Sequence, residues 1–200
     1  MAGFIYRPLP TKTMEIETGI SELISSEEIK KRISELAEDI SKDYLSKGSI
    51  YSVTVLQGAR MFSEALRKEL QALGIDSKNY DITLSSYSGT ESTRNIKVVE
   101  SIAGEIKGKD ILVLEDIVDS GITIDFLVSH LLGKGAKSVK VCALTSKHGR
   151  REIDVRVNYI GFEIPNMFIV GFGMDFDGKY RDLPYIGHIE NPEGPEGKPE

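Results

Sequence analysis

Two adjacent carboxylates and a run of hydroxyl groups follow a strongly apolar segment near the middle of the chain. The stretch reads ILVLEDIVDSGIT and spans residues 111–123. Its apolar start is typical of a strand buried on both faces of a parallel sheet, so Glu115 and Asp116 should lie at the carboxyl edge, where such sheets bind ligands. Residues 119–123 then lead into a helix expected at residues 122–132. Backbone N–H groups, two hydroxyls and that helix N-terminus can converge on a phosphate.

Carboxylates beside a phosphate site need an explanation, because Glu115 and Asp116 would repel a bare phosphate. They can accept hydrogen bonds from sugar hydroxyls or share a hard cation with the phosphate, and Mg²⁺ suits both arrangements. A Walker-type nucleotide loop is disfavoured, since Ile122 and Thr123 follow Gly121 where that loop needs a lysine and then serine or threonine. A capped helix without a ligand is the alternative, and two acids directly after four apolar residues make it the weaker one.

Composition limits the class of protein. A chain of 200 residues with 40% hydrophobic and 28% charged residues fits one globular domain, expected at residues 1–190. The net charge of −6 argues against broad nucleic-acid binding, and no apolar run approaches the ~20 residues of a membrane span. Without a signal-peptide pattern at the amino terminus, the expected location is the cytoplasm. Residues 191–200 contain no large apolar side chain and are expected to form a disordered tail.

Cysteine and histidine give no sign of a metal or disulfide framework. The single cysteine, Cys142, lies in an apolar run and is expected to be a buried core residue. The three histidines show no ligand spacing, so no zinc site is predicted.

Strands and helices alternate along most of the chain. This order predicts an α/β fold in which helices flank a parallel β-sheet. Residues 159–186 contain short apolar runs broken by proline and glycine, which indicates irregular structure over the end of that sheet. The expected helices are a segment capped by Ser25 or Ser26 and segments 59–73 and 122–132; the expected strands are 50–56, 80–87, 96–99, 111–114 and 138–144.

The central stretch resembles the motif with which type I phosphoribosyltransferases, and more narrowly the hypoxanthine/guanine phosphoribosyltransferases, bind 5-phosphoribosyl 1-diphosphate (PRPP). The similarity covers roughly residues 53–187 and includes, in the family's order, VLQGARMF, LSSYSGTES, LTSK, IGFEIPN, FIVGFGMDF and YRDLPYIG. It implies the type I phosphoribosyltransferase fold, with a small hood over the active site formed by the N-terminal segment and about residues 159–190. It also implies purine salvage, in which hypoxanthine or guanine and PRPP give IMP or GMP and pyrophosphate with Mg²⁺, and a homodimer or homotetramer.

The resemblance assigns roles in PRPP binding. Glu115 and Asp116 would face the ribose hydroxyls and a Mg²⁺ ion, and Asp119 would also be the general base for purine N7. Arg181 would bind pyrophosphate, with Arg151 as a second candidate. The residues expected to bind the 5-phosphate are Asp119, Ser120, Gly121, Ile122 and Thr123.

A tight loop at Gln57 and Gly58 would present backbone N–H groups to pyrophosphate through a non-proline cis peptide. Family members commonly carry a lysine at the place of Gln57, so a lysine-mediated contact at this position is not expected here.

The purine would be bound by residues from later in the chain. Lys147 matches the lysine that donates to the 6-oxo group, which selects against adenine. Phe168 would stack on the base, and the backbone carbonyl of Ile169 would recognise its edge. Asp175 matches an acid near a second metal and the purine edge. Ser86 and Tyr87 begin a polar loop, residues 85–95, that resembles the mobile lid of the family.

Two other functional hypotheses stay open at this point. One is a non-catalytic regulator that uses the same fold to sense PRPP or nucleotide, which predicts binding without turnover. The other is a related transferase for xanthine, adenine or a pyrimidine. Fold alone does not decide among them.

Overall fold

The computed structural model describes residues 15–16, 19–44, 49–87, 95–100 and 106–190. The proposed tail at residues 191–200 and the centre of the proposed lid, residues 88–94, lie outside these ranges. In chain order the elements are β1 (Glu15–Ile16), β2 (Ile20–Ile24), α1 (Ser26–Tyr44), β3 (Ser49–Leu56), α2 (Arg60–Ala72), β4 (Asp76–Tyr87), β5 (Asn95–Glu100), β6 (Asp110–Val118), α3 (Ile122–Gly133), β7 (Ser138–Ser146), β8 (Tyr159–Glu163), β9 (Phe168–Val170) and β10 (Ile186–Ile189).

A six-stranded sheet in the order β5-β4-β3-β6-β7-β8 forms the centre of the molecule. Strands β4, β3, β6, β7 and β8 are parallel to one another, and β5 pairs antiparallel with β4. The predicted α/β fold is therefore confirmed. In β6, residues 111–114 are fully buried, as expected for an internal strand covered on both faces. Val113 pairs with Val53 on one side and Val141 on the other.

Helices cover both faces of this sheet, because alternate residues of each strand point to opposite sides. Leu112 of β6 packs in one core with Ile33 of α1 and Phe62 of α2. Val113, its neighbour, packs in a second core with Leu127 of α3. No helix in the described part of the chain is both long enough and apolar enough to cross a membrane.

The start of α1 matches its sequence signal. The Glu28 N–H donates to Ser25 Oγ at 3.3 Å, and the Ser25 N–H donates to Glu28 Oε2 at 3.0 Å. This reciprocal pair is a capping box, which satisfies two donors that the first turn leaves free. The helix therefore begins where the sequence predicted.

A second, antiparallel sheet in the order β1-β2-β10-β9 forms the hood. It joins the N-terminal segment to the end of the described chain, because β10 pairs with both β2 and β9. The predicted small hood is confirmed as a separate sheet.

Residues 159–163 do not take part in this second sheet. Strand β8 pairs in parallel with β7 and belongs to the central sheet. Its five residues are all half-buried, so the apolar pattern that marks an internal strand is weak. Arg32 supports this edge, since its guanidinium donates to the carbonyls of Ile160 and Gly161, each at 2.8 Å. Side chains distant in sequence thus stabilise a strand that local pattern does not reveal.

Candidate active site

Three neighbouring strands of the central sheet deliver the candidate residues to one edge. Strand β3 ends before Gln57, β6 carries the acids, and β7 ends before Lys147. Because β3, β6 and β7 are adjacent and parallel, their carboxyl ends meet. The fold therefore brings together residues that are about 90 positions apart in sequence.

Glu115 is a buried acid with an unused oxygen. The strand continues to Val118, so this residue lies inside β6 and only 7% of its surface is exposed. Its Oε2 atom is buried and has no hydrogen-bond partner among the described residues. Burial, together with the nearby Asp116 charge, raises the pKa of Glu115 well above its usual value. An unpaired buried acid is costly unless a ligand compensates it.

Asp116 lies against the loop that follows β3. A Cβ placed on Gly58 would lie 1.8 Å from Asp116 Oδ2, and a Cβ placed on Gly173 would lie 2.0 Å from the Gly58 carbonyl oxygen. The Asp116 carboxylate and the backbone of Gly173 therefore both pack closely on Gly58. The Leu56–Gln57 peptide is cis, as the family resemblance implied. The proposed pyrophosphate loop thus lies between the proposed ribose acid and the hood.

The proposed phosphate loop is supported from behind. Gly121 precedes α3 with φ +87°, a conformation that favours glycine, and has no side chain to cap the helix; the Ile122 N–H donates to Ser120 Oγ at 3.4 Å. The N–H groups of Glu152 and Ile153 donate to the Ser120 carbonyl at 2.9 and 3.1 Å. A Cβ on Gly121 would lie 2.4 Å from the Ile153 carbonyl oxygen. This packing leaves the start of α3 suited to an anion.

Asp119 faces two cations. Its Oδ2 atom lies 3.5 Å from Lys147 Nζ and 3.4 Å from an Arg150 guanidinium nitrogen. Its Oδ1 atom is buried and has no hydrogen-bond partner in the described ranges. Lys147 is 5% exposed, and its backbone N–H donates to the Val118 carbonyl at 3.0 Å, which fixes the residue beside the loop. The predicted base and the predicted purine-binding lysine are therefore in contact.

Arg150 was not predicted as a site residue. The only signal for it was its place in the basic segment at residues 147–151. Its contact with Asp119 is what places it in the candidate site.

The proposed purine-binding residues of the hood lie on β9 and the segment after it. Phe168 is 37% exposed and packs edge-on against Phe176, with ring centroids 5.2 Å apart. Ile169 is buried, and its backbone pairs with His188 of β10. An aromatic side chain that stays accessible in a rigid sheet is suited to stacking on a planar base.

Arg181 and Asp175 form an ion pair of 2.7 Å within the hood. The same guanidinium donates to the Gly173 carbonyl at 2.9 Å, and Asp175 also accepts from the Gly178 N–H at 2.7 Å. Because Gly173 contacts Gly58, Arg181 lies beside a residue that touches the proposed pyrophosphate loop. Its remaining donors leave it able to bind an anion.

The site fits a hard cation only in part. Within the described residues, no group of three or more His, Cys, Asp or Glu side chains is placed to hold a metal ion. Glu115 and Asp116 nevertheless suit Mg²⁺, which is commonly bound by one or two carboxylates with substrate oxygens and water as the other ligands. The role of Asp175 near a second metal stays a prediction.

The proposed lid can be followed only at its start. Ser86 and Tyr87 end β4, and their backbones pair with Ile96 and Asn95 of β5. Since residues 88–94 lie outside the described ranges, the lid stays a prediction.

Comparisons with known proteins agree with this geometry. The family model described as phosphoribosyl transferase domain matches residues 19–177. Hypoxanthine phosphoribosyltransferase of Escherichia coli (strain K12) is 42% identical over 170 residues, which cover 84% of this chain and 93% of that protein. A crystal structure of a hypoxanthine-guanine phosphoribosyltransferase from Bacillus anthracis is 38% identical, has a TM-score of 0.79 and is matched over 84% of this chain and 97% of that one. A mutant hypoxanthine phosphoribosyltransferase of Trypanosoma cruzi, complexed with the product IMP, is 30% identical with a TM-score of 0.83, over 88% and 93% of the two chains. The chain therefore belongs to the phosphoribosyltransferase family.

Proposed function

We propose that this protein is a purine salvage enzyme that transfers the 5-phosphoribosyl group of PRPP to hypoxanthine or guanine. The products are IMP or GMP and pyrophosphate, and the reaction depends on Mg²⁺. In the transfer, a purine nitrogen bonds to ribose C1 as the bond from C1 to the pyrophosphate oxygen breaks. The proton released from the purine passes to an enzyme base.

One observation carries the proposal: the acid pair, the phosphate loop and Lys147 share a single edge of the central sheet. Gly121 and the first turn of α3 are suited to the 5-phosphate. Glu115 and Asp116 are suited to the ribose hydroxyls, which donate hydrogen bonds to carboxylates. A related enzyme from Trypanosoma cruzi is named for the same chemistry, and its solved complex contains IMP.

Asp119 is proposed as the general base. Its buried Oδ1 atom, without a partner in the described ranges, is free to accept the purine proton. Its Oδ2 atom faces Lys147 and Arg150, so the carboxylate is oriented by two cations. Lys147 is proposed to donate to the 6-oxo group of the purine, and a buried ammonium makes a strong donor of this kind.

Charge development explains the remaining groups. The ribose gains positive character in the transition state, and the acids at its hydroxyls stabilise that charge. When bound, Mg²⁺ would neutralise charge on the pyrophosphate leaving group, and Glu115 and Asp116 are the residues proposed to hold it. Arg181 and the backbone of Gly58 are proposed to bind the pyrophosphate itself.

The oligomer and the location remain proposals drawn from the family. We propose a homodimer or homotetramer with closed symmetry, which sedimentation equilibrium would test. A cytoplasmic location is likewise a prediction, which cell fractionation would test.

A base-competition assay tests the function. Purified protein is incubated with PRPP, Mg²⁺ and equal amounts of hypoxanthine, guanine, xanthine and adenine, and the nucleotides are separated. IMP or GMP is expected to dominate, with little AMP because Lys147 offers a donor to an oxo group. No nucleotide from hypoxanthine or guanine would overturn the proposal, and ligand binding without turnover would indicate a regulator.

A further inference from the structure

We propose that Arg151 is a positioning residue for the 5-phosphate loop, acting from behind Ser120 and Gly121, and that it does not bind pyrophosphate. This inference deepens the proposed function and rests on it. It also reassigns a side chain that the sequence offered as a second pyrophosphate candidate.

The geometry attaches Arg151 to the phosphate end of the site. One guanidinium nitrogen donates to Ser146 Oγ at 2.8 Å, and Ser146 is the last residue of β7. The other terminal nitrogen lies 3.5 Å from the point where a Cβ on Gly121 would stand. Arg151 therefore spans from a rigid strand end to the back of the loop.

The residues that follow continue the same support. The N–H groups of Glu152 and Ile153 both donate to the Ser120 carbonyl, so the loop rests on a short segment that begins with Arg151. Strand pairing reinforces this arrangement, because Ser146 pairs with Val118, the last residue before the loop. Moving the Arg151 side chain would loosen the contact that fixes the loop relative to β7.

One donor of Arg151 beside Gly121 is unused among the described residues, although the carboxylates of Asp119 and Asp154 act on the guanidinium: burial lowers the pKa of Arg151 and these two charges raise it. The Arg151 nitrogen nearest Gly121 is buried and has no hydrogen-bond partner within the described ranges. A buried donor without a hydrogen-bond partner is unfavourable in the free protein and gains when a negatively charged acceptor binds nearby. A 5-phosphate in front of Gly121 would supply that charge.

The position of the other arginine makes the assignment specific. Arg181 contacts Gly173, which packs on Gly58 in the proposed pyrophosphate loop. Arg151 contacts Ser146 and lies against Gly121. The two guanidinium groups therefore serve the two phosphate-bearing ends of one substrate.

The test measures two ligands that separate these ends. Calorimetric titration with ribose 5-phosphate probes the 5-phosphate loop together with the ribose acids, and titration with pyrophosphate and Mg²⁺ probes the other end. Arg151→Met is expected to weaken ribose 5-phosphate binding roughly tenfold or more, a loss comparable in size to that of one hydrogen bond to a charged group, because the loop is no longer held in place. Pyrophosphate binding should change less than about twofold, and Arg151→Lys should recover part of the loss because it keeps the charge without the fork.

Matched variants guard against a trivial result. Arg156→Met removes an exposed arginine from the same segment and should change neither titration. Ser146→Ala keeps the Arg151 charge but removes the hydroxyl that accepts its hydrogen bond. It should weaken the binding of ribose 5-phosphate selectively, and it provides a test even if Arg151→Met does not fold.

The inference would be overturned by equal weakening of both ligands in Arg151→Met and Ser146→Ala, or by a loss confined to pyrophosphate. Unchanged binding of both ligands by Arg151→Met, in an otherwise active protein, would overturn this inference alone. Wild-type protein that binds neither ligand and forms no nucleotide would remove the proposed function first.

Discussion

Gly58 and Asp116 are in direct contact across the active-site edge: a methyl group on the glycine would stand 1.8 Å from the aspartate Oδ2. A side chain at position 58 would have to displace the Asp116 carboxylate, so the loop after β3 and the acid of β6 constrain each other. Because one is proposed to bind pyrophosphate and the other ribose, this contact sets the distance between two parts of the same substrate. Small displacements here should affect rate more than stability.

Gly58→Ala should therefore lower kcat/KM for PRPP by roughly 100-fold, the loss that a displacement of about 1 Å can cause. Steady-state kinetics with varied PRPP would measure it, and circular dichroism would confirm that the variant folds. Gly133→Ala is the control, since a Cβ there meets nothing within 4 Å. Equal kinetics for both variants would contradict the importance of the contact.

Asp119→Asn should lower kcat by roughly 100-fold to 10,000-fold, the range for loss of a general base. Binding of PRPP should change little, because the amide keeps the size of the side chain and can still contact the loop. Single-turnover rates and a PRPP titration would separate the two effects. An unaffected rate would remove the assigned role of Asp119.

Lys147→Met should lower kcat/KM for hypoxanthine by about 10-fold to 100-fold, the effect of losing a hydrogen bond from a charged donor. Adenine should be less affected, because it has no 6-oxo group to accept that bond. Lys137→Met is a suitable control: this lysine is 68% exposed and lies 3.6 Å from Asp110 at the other end of β7. A loss of the same size for both bases would indicate that Lys147 supports the fold instead of selecting the base.

Glu115→Gln should stabilise the ligand-free protein at neutral pH. The pKa of Glu115 is higher in the folded protein than in the unfolded chain, so the folded protein binds this proton more tightly. As pH rises from the ordinary carboxyl pKa towards the raised one, the free energy of unfolding therefore falls. Glutamine removes that loss, and Tm at pH 7 should rise by about 2 °C or more. The difference should shrink towards about pH 4, where the acid is protonated in both states.

The same substitution should weaken PRPP binding, since the acid is proposed to bind ribose and Mg²⁺. Thermal unfolding at several pH values and a PRPP titration would test both halves. A lower Tm at neutral pH would contradict the assigned cost of the buried acid.

Cys142 should resist thiol reagents in the folded protein. It is fully buried, and burial raises the pKa of its thiol far above the usual range, so almost no thiolate is present. Labelling with a chromogenic disulfide should be slow in buffer and complete in denaturant, with no loss of activity before unfolding. Rapid labelling of active enzyme would show that the β7 core opens.

Local sequence was sufficient where packing follows a regular pattern. The apolar run at residues 111–114 and the capping box at Ser25 and Glu28 predicted β6 and α1, because burial and capping depend on neighbouring residues. The motif at residues 115–123 likewise predicted a ligand edge. Each of these patterns lies within one short stretch of sequence.

Contacts between distant segments could not be predicted from local sequence. Strand β8 depends on Arg32, which is 128 positions from the carbonyl of Ile160. The meeting of Gly58 and Gly173 and the contact of Arg150 with Asp119 depend on how hood, loops and sheet pack together. Their residue types alone indicate only turns and surface charge.

A crystal structure of the protein with PRPP and Mg²⁺ would test most directly whether one sheet edge binds the whole substrate. The 5-phosphate should lie on the backbone of residues 120–123, the ribose hydroxyls at Glu115 and Asp116, and the pyrophosphate between Gly58 and Arg181. PRPP bound elsewhere, or bound with its sugar away from both acids, would contradict the proposed function and the roles derived from it.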